Sequence, residues 1–100
     1  MVKKEDFVYN LFIRYKPVKI LVLLREGPKY ATVLSKEVDI TYSHTIKLLD
    51  LFNDMGLVEF EKKGRIKLVK LTSTGEDLAR VFDSVVSKLS KLKSKSLSKK

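Results

Sequence analysis

One hundred residues make a single domain with a small core, and a hydrophobic fraction of 44% excludes a disordered chain. The chain has no cysteine, which excludes disulfides, Cys-ligated zinc and thiol redox sensing and fits a reducing compartment. The formal charge of +9 points to a polyanionic partner, but Lys88, Lys91, Lys93, Lys95, Lys99 and Lys100 supply six of those charges and leave +3 for residues 1–83, so bulk charge does not locate a site.

In chain order, residues 5–14 place Phe7, Val8, Leu11, Phe12 and Tyr15 on one helical face. Pro17 is expected to end that helix and to open a second over 17–26, apolar nearly all round and therefore central and buried. Gly27-Pro28 stops it. Residues 30–38 read as a short helix with Ala31, Leu34 and Val38 inward, followed by a tight turn at Asp39-Ile40. Thr41 is a good N-cap for a helix over 42–55 with Thr45, Leu48, Leu49 and Phe52 inward, closed by Gly56.

The period then switches from helical to alternating. Residues 57–61 and 65–71 read as two strands of a hairpin around Lys62-Lys63-Gly64. Thr72 or Ser73 caps a last helix, with Glu76 and Asp77 favourable in its first turn. Leu78, Phe82, Val85, Leu89 and Leu92 follow a heptad-like spacing along it. The domain is expected to span 1–92, and residues 93–100 to form a disordered basic Lys/Ser tail. The N-terminus carries Glu5 and Asp6 with no long apolar run, and the longest purely apolar stretch is Ile20–Leu24, so neither a signal peptide nor a membrane association is expected.

The order of parts over residues 17–83 resembles the winged helix-turn-helix of prokaryotic regulators of the MarR and ArsR groups and of small archaeal homologues. The resemblance rests on the short helix, the turn ending in Ile40, the capped helix, Met55-Gly56-Leu57-Val58 before the hairpin, and Leu71-Thr72-Ser73-Thr74-Gly75 opening the closing helix. It implies an α+β fold, mostly α, with a β-hairpin wing and additional N- and C-terminal helices. It implies double-stranded DNA as partner, with a recognition helix at about 41–55 in the major groove and a wing at about 57–71 on the backbone or minor groove. It also implies a homodimer through the terminal helices. The alternative use of their apolar stripes is packing within one domain.

In such a frame the start of the recognition helix meets base edges. Its outward residues are Tyr42, Ser43, His44, Ile46 and Lys47, types that bond bases or phosphates or touch a thymine methyl. No acid lies between Thr41 and Leu49. Tyr42 alternatively packs on the preceding helix. At the wing tip Arg65 is the candidate for a narrow minor groove, with Lys62 and Lys63 on phosphates. The other reading of these cations is protection of an exposed hairpin from edge pairing. Lys29, Tyr30 and Lys36 are weaker phosphate candidates.

The inventory argues against catalysis. There is no Gly-rich phosphate loop, and the single histidine, His44, has no second ligand or evident acid partner, so no enzymatic activity, cofactor or metal is expected. The leading expectation is a cytoplasmic, nucleoid-associated transcription regulator. An architectural DNA-coating protein of weak sequence preference is the runner-up, and a protein-interaction module without a DNA role is a third reading.

Overall fold

The computed structural model describes residues 4–92, with side chains from Val8 onward. The Phe7 side chain and the tail at 93–100 lie outside the described residues. The chain runs α1 (Lys4–Phe12), α2 (Tyr15–Leu24), β1 (Lys29–Tyr30), α3 (Ala31–Val38), α4 (Tyr42–Asp54), β2 (Val58–Lys63), β3 (Ile66–Leu71) and α5 (Ser73–Ser90). The class is α+β and mostly α, as the sequence implies. Among the described residues no helix is long and apolar enough to cross a membrane.

The first break falls earlier than expected. Arg14 is extended, with φ −131° and ψ 139°, and α2 starts at Tyr15, so Pro17 sits inside its first turn. A helix running through this stretch would need Pro17 to donate to Ile13, and proline has no N–H to give. In a first turn that donor has no helical acceptor, so nothing is lost. Tyr15 consequently leaves the Leu11/Phe12 face and is 60% exposed. The centre of α2 is buried as expected, through Val18, Ile20, Leu21 and Leu24.

The sheet has three strands where the sequence suggests two. The order is β1-β3-β2, all antiparallel, with Lys29 opposite Val69 and Tyr30 opposite Leu68. Lys29 and Tyr30 are therefore strand residues, and α3 begins after them at Ala31. A two-residue strand carries no alternation to read. The hairpin turn also moves. Lys63 pairs with Ile66, which puts Lys62 and Lys63 in β2 and leaves Gly64-Arg65 as a two-residue loop. Gly64 has φ +67° and Arg65 does not take positive φ, the pattern of a type II′ turn.

The core sits where α2, α3, α4 and the inner sheet face meet. Ala31, Leu34 and Val38 of α3 and Thr45, Leu48, Leu49 and Phe52 of α4 are all buried, as their spacing predicts. Val69, in the central strand, is fully buried. The Phe12 ring stacks between Phe52, at 5.9 Å, and Phe82, at 5.7 Å, joining α1, α4 and α5. On α5 the apolar stripe divides. Leu78 and Phe82 pack against the core, while Val85 and Leu89 are 46% and 60% exposed; Leu92, expected on the same helix, falls two residues past its end and is 68% exposed.

Candidate nucleic-acid interface

The α3–α4 unit is held by its turn and its cap. Asp39 takes a left-handed conformation, φ 64°, between the two helices. Its N–H and that of Ile40 both donate to the Ser35 carbonyl, at 2.9 and 3.1 Å. Its own carbonyl accepts from Lys16 Nζ at 2.9 Å, which ties the start of α2 to the turn. Thr41 caps α4 as expected: its Oγ1 accepts from the His44 N–H at 3.1 Å. The Thr41 carbonyl accepts both the Thr45 N–H at 3.0 Å and the Thr45 hydroxyl at 2.9 Å. Thr41→Ala should cost about 1 kcal/mol and lower Tm by about 4–8 °C in a thermal melt. An unchanged Tm would show that the cap contributes nothing to the order of this turn.

The first turns of α4 present the residues singled out in the sequence. Tyr42 is 49% exposed, so it is not absorbed by α3, and Ser43, His44 and Lys47 are exposed. The Ser43 hydroxyl lies 3.5 Å from the capping Thr41 hydroxyl. Ile46 is divided: it is half-buried and packs against the core, so only part of its side chain faces outward. Asp50 and Asp54 follow on the outward side of the later turns and are exposed. The half of α4 that a phosphate backbone can approach without repulsion is its N-terminal half.

In the hairpin, directly opposed residues share a sheet face. Val58 and Leu71, then Phe60 and Val69, form the core-side row, and Lys62 opposite Lys67 continues that row to the tip. Lys67 Nζ stands 4.6 Å from the Phe60 ring centroid. Lys63 and Ile66 lie on the other face. Two lysines directly opposed across strands repel each other, a cost that an anion placed beside them removes. The sequence reading omitted Lys67 from the contact residues. The signal was its register with Lys62, which becomes visible only once the turn is placed at Gly64-Arg65.

The cations differ in their partners. Arg25 meets Asp83 at 2.7 Å and Glu76 at 3.4 Å. Lys29 meets Glu26 at 3.0 Å and Glu37 at 3.8 Å. The hydrogen bond to Glu26, reinforced by both carboxylate charges, holds the Lys29 ammonium above the usual lysine pKa. Lys70 meets Glu59 at 3.9 Å, and Lys63 reaches Glu61 only at 4.0 Å. Among the described residues, Lys36, Lys47, Lys62, Arg65 and Lys67 have no ion pair. Lys29 is thus already matched by two carboxylates, whereas Tyr30, opposite Leu68 in the sheet, is 38% exposed.

A cavity of about 490 Å³ lies between the α1–α2 junction and the α3–α4 unit, lined mostly by apolar atoms of Leu11, Pro17, Ile40 and Leu48, with Arg14 and His44 among its walls. His44 therefore borders this space as well as the outward face of α4. No sequence motif could show it, because its walls come from residues 10–17 and 40–48.

No family model matches the sequence. An uncharacterized protein of Archaeoglobus fulgidus is 25% identical over 87 residues, which cover 82% of this chain and 92% of that protein. The transcriptional regulator BldR of Sulfolobus solfataricus superposes with a TM-score of 0.70 at 23% identity, over 82% of this chain and 62% of BldR. A mutant of Lactococcus lactis ZitR, solved in complex with DNA, superposes with a TM-score of 0.69 at 19% identity, over 74% of this chain and 53% of that one. The chain thus spans between half and two thirds of these two proteins. A two-helix unit with a capped second helix, a hairpin after it and a third strand before it, superposable on these structures, gives the chain the winged helix-turn-helix fold.

Proposed function

We propose that this chain binds double-stranded DNA as a transcription regulator, with the start of α4 in the major groove and the β2–β3 wing on the backbone or minor groove. The observation that carries the reading is the set of unpaired cations on the two elements that reach DNA in this architecture: Lys47 on α4, and Lys62, Arg65 and Lys67 on the wing, whose other lysines, Lys63 and Lys70, have Glu61 and Glu59 within 4.0 Å. Among the described residues, unpaired cations also stand on α2 and α5, at Lys19 and Lys88. The ZitR mutant that this chain resembles in fold was solved with DNA. Tyr42, Ser43, His44, Lys47 and the exposed part of Ile46 read bases; Lys36 and the wing cations hold phosphates. The lysines of residues 93–100 add sequence-independent attraction to the same polyanion.

The active species in this proposal is a homodimer. Its support is the open half of the α5 stripe, Val85 and Leu89, with Leu92 just past its end, together with Ile13 just past α1, which is 80% exposed. Two copies would place two recognition helices about 34–36 Å apart on a pseudo-palindromic site.

Selection of bound duplexes from random sequence, with stoichiometry measured on the selected site, tests this reading. The expected result is an enriched motif of two related halves, bound about 10³-fold or more tighter than bulk DNA by two chains. DNA affinity without any enriched motif would favour the architectural alternative, which the predominance of lysine in the wing supports. No affinity for duplex DNA at low salt would overturn both.

A further inference from the structure

The segment between the recognition helix and the wing is clamped from both sides. From α4, the Leu57 N–H donates to the Phe52 carbonyl at 2.9 Å and the Gly56 N–H to the Asn53 carbonyl at 3.0 Å. From the far end of the wing, the Thr72 hydroxyl donates to the Gly56 carbonyl at 2.6 Å and its N–H to the Leu57 carbonyl at 3.0 Å. One further bond crosses the joint: Asn53 Nδ2, in the last turn of α4, donates to the carbonyl of Val58, the first residue of β2, at 2.9 Å. It is the only side-chain hydrogen bond from α4 to the wing among the described residues.

The position of this bond gives it leverage. From Val58 to Lys63 the strand extends about 17 Å, at about 3.3 Å per residue. A change of about 10° at the joint therefore moves the wing tip by about 3 Å, a whole hydrogen-bond length, and contacts to a fixed partner tolerate far less. The other clamps fix residues 56 and 57; Val58 itself is held by its buried side chain and its pairing with Leu71, and the Asn53 carboxamide adds the one hold on it that comes from a side chain of α4 by hydrogen bond.

We propose that Asn53 is a positioning residue for the wing, setting its angle to the recognition helix so that Lys62 and Arg65 reach the DNA while Lys47 does. The proposal rests on the DNA-binding reading above and names a residue that does not touch DNA. The test is a double-mutant cycle on the full chain, with a labelled duplex of the selected sequence titrated across a salt series. In the wild-type background, Lys62→Ala with Arg65→Ala should flatten the slope of log affinity against log salt by about 2. In an Asn53→Ala background, the same pair should flatten it by less than about 0.5, because the wing is already displaced. Lys47→Ala should have the same effect in both backgrounds. Asn53→Leu, which keeps the bulk and loses the donor, should behave as Asn53→Ala, so that a cavity or a local packing defect is not the cause. Equal flattening by the wing pair in wild-type and Asn53-substituted proteins overturns the positioning role and leaves DNA binding standing. A Lys47→Ala effect that shrinks in parallel overturns it too, because the loss is then general misfolding. Wild-type protein without DNA affinity overturns the DNA reading, and this proposal with it.

Discussion

Replacing Lys62, Lys63 and Arg65 together by alanine should lower the affinity for duplex DNA by about 30-fold, taking about 1 kcal/mol for each of Lys62 and Arg65 after solvent screening and little for Lys63. Lys63 counts for less because Glu61 already lies within 4.0 Å of it. The slope of log affinity against log salt should flatten by about 2, fewer than the three charges removed. Lys29→Ala provides the contrast. That side chain is only 18% exposed and is held by Glu26 and Glu37, so its loss should change affinity less than about twofold. Fluorescence anisotropy at a series of salt concentrations reads all of these. A triple variant that binds like wild type would remove the wing from the interface.

The second large effect is on stability. Gly75 opens α5 against the joint, and a Cβ added there would lie 1.9 Å from the Leu57 carbonyl oxygen and 2.9 Å from its carbon. Those are backbone atoms already committed to Thr72, so they cannot swing aside as a flexible side chain would. Gly75→Ala should cost about 3 kcal/mol, the upper end of ordinary overpacking, and lower Tm by about 12–24 °C. Gly64→Ala meets no atom within 4 Å and pays only for its positive φ, about 1–2 kcal/mol. Thermal melts of the two variants separate a steric cost from a conformational one. Equal losses would mean that α5 shifts to accommodate a methyl group.

The frame of this fold was legible where short-range chemistry decides it. Thr41 and Thr72 cap the helices that their hydroxyls suggested, and the inward set of Thr45, Leu48, Leu49 and Phe52 followed from spacing alone. What stayed hidden depends on distant partners. β1 exists because β3 offers it an edge, and two residues cannot signal that by themselves. The hairpin turn is set by the register of Val58 on Leu71, which carries two like charges into opposition at Lys62 and Lys67. Lys29 looked like a free cation in the sequence because its second carboxylate, Glu37, approaches only once β1 and α3 have folded. Asn53 gave no signal at all: an exposed amide late in a helix is ordinary, and its acceptor is a backbone carbonyl.

The stacked rings Phe82, Phe12 and Phe52 bear on how the molecule can be taken apart. The middle ring comes from α1, outside the helix-turn-helix and wing, yet it packs behind α4 through Phe52. The frame over residues 17–83 therefore does not contain all of its own interior. Trimming the chain to that frame would expose one face of Phe52, now fully buried, to water. The leading helix is thus a structural part of the support of α4, and any force that tilts it is felt first in the last turn of that helix, next to Asn53 and the joint to the hairpin.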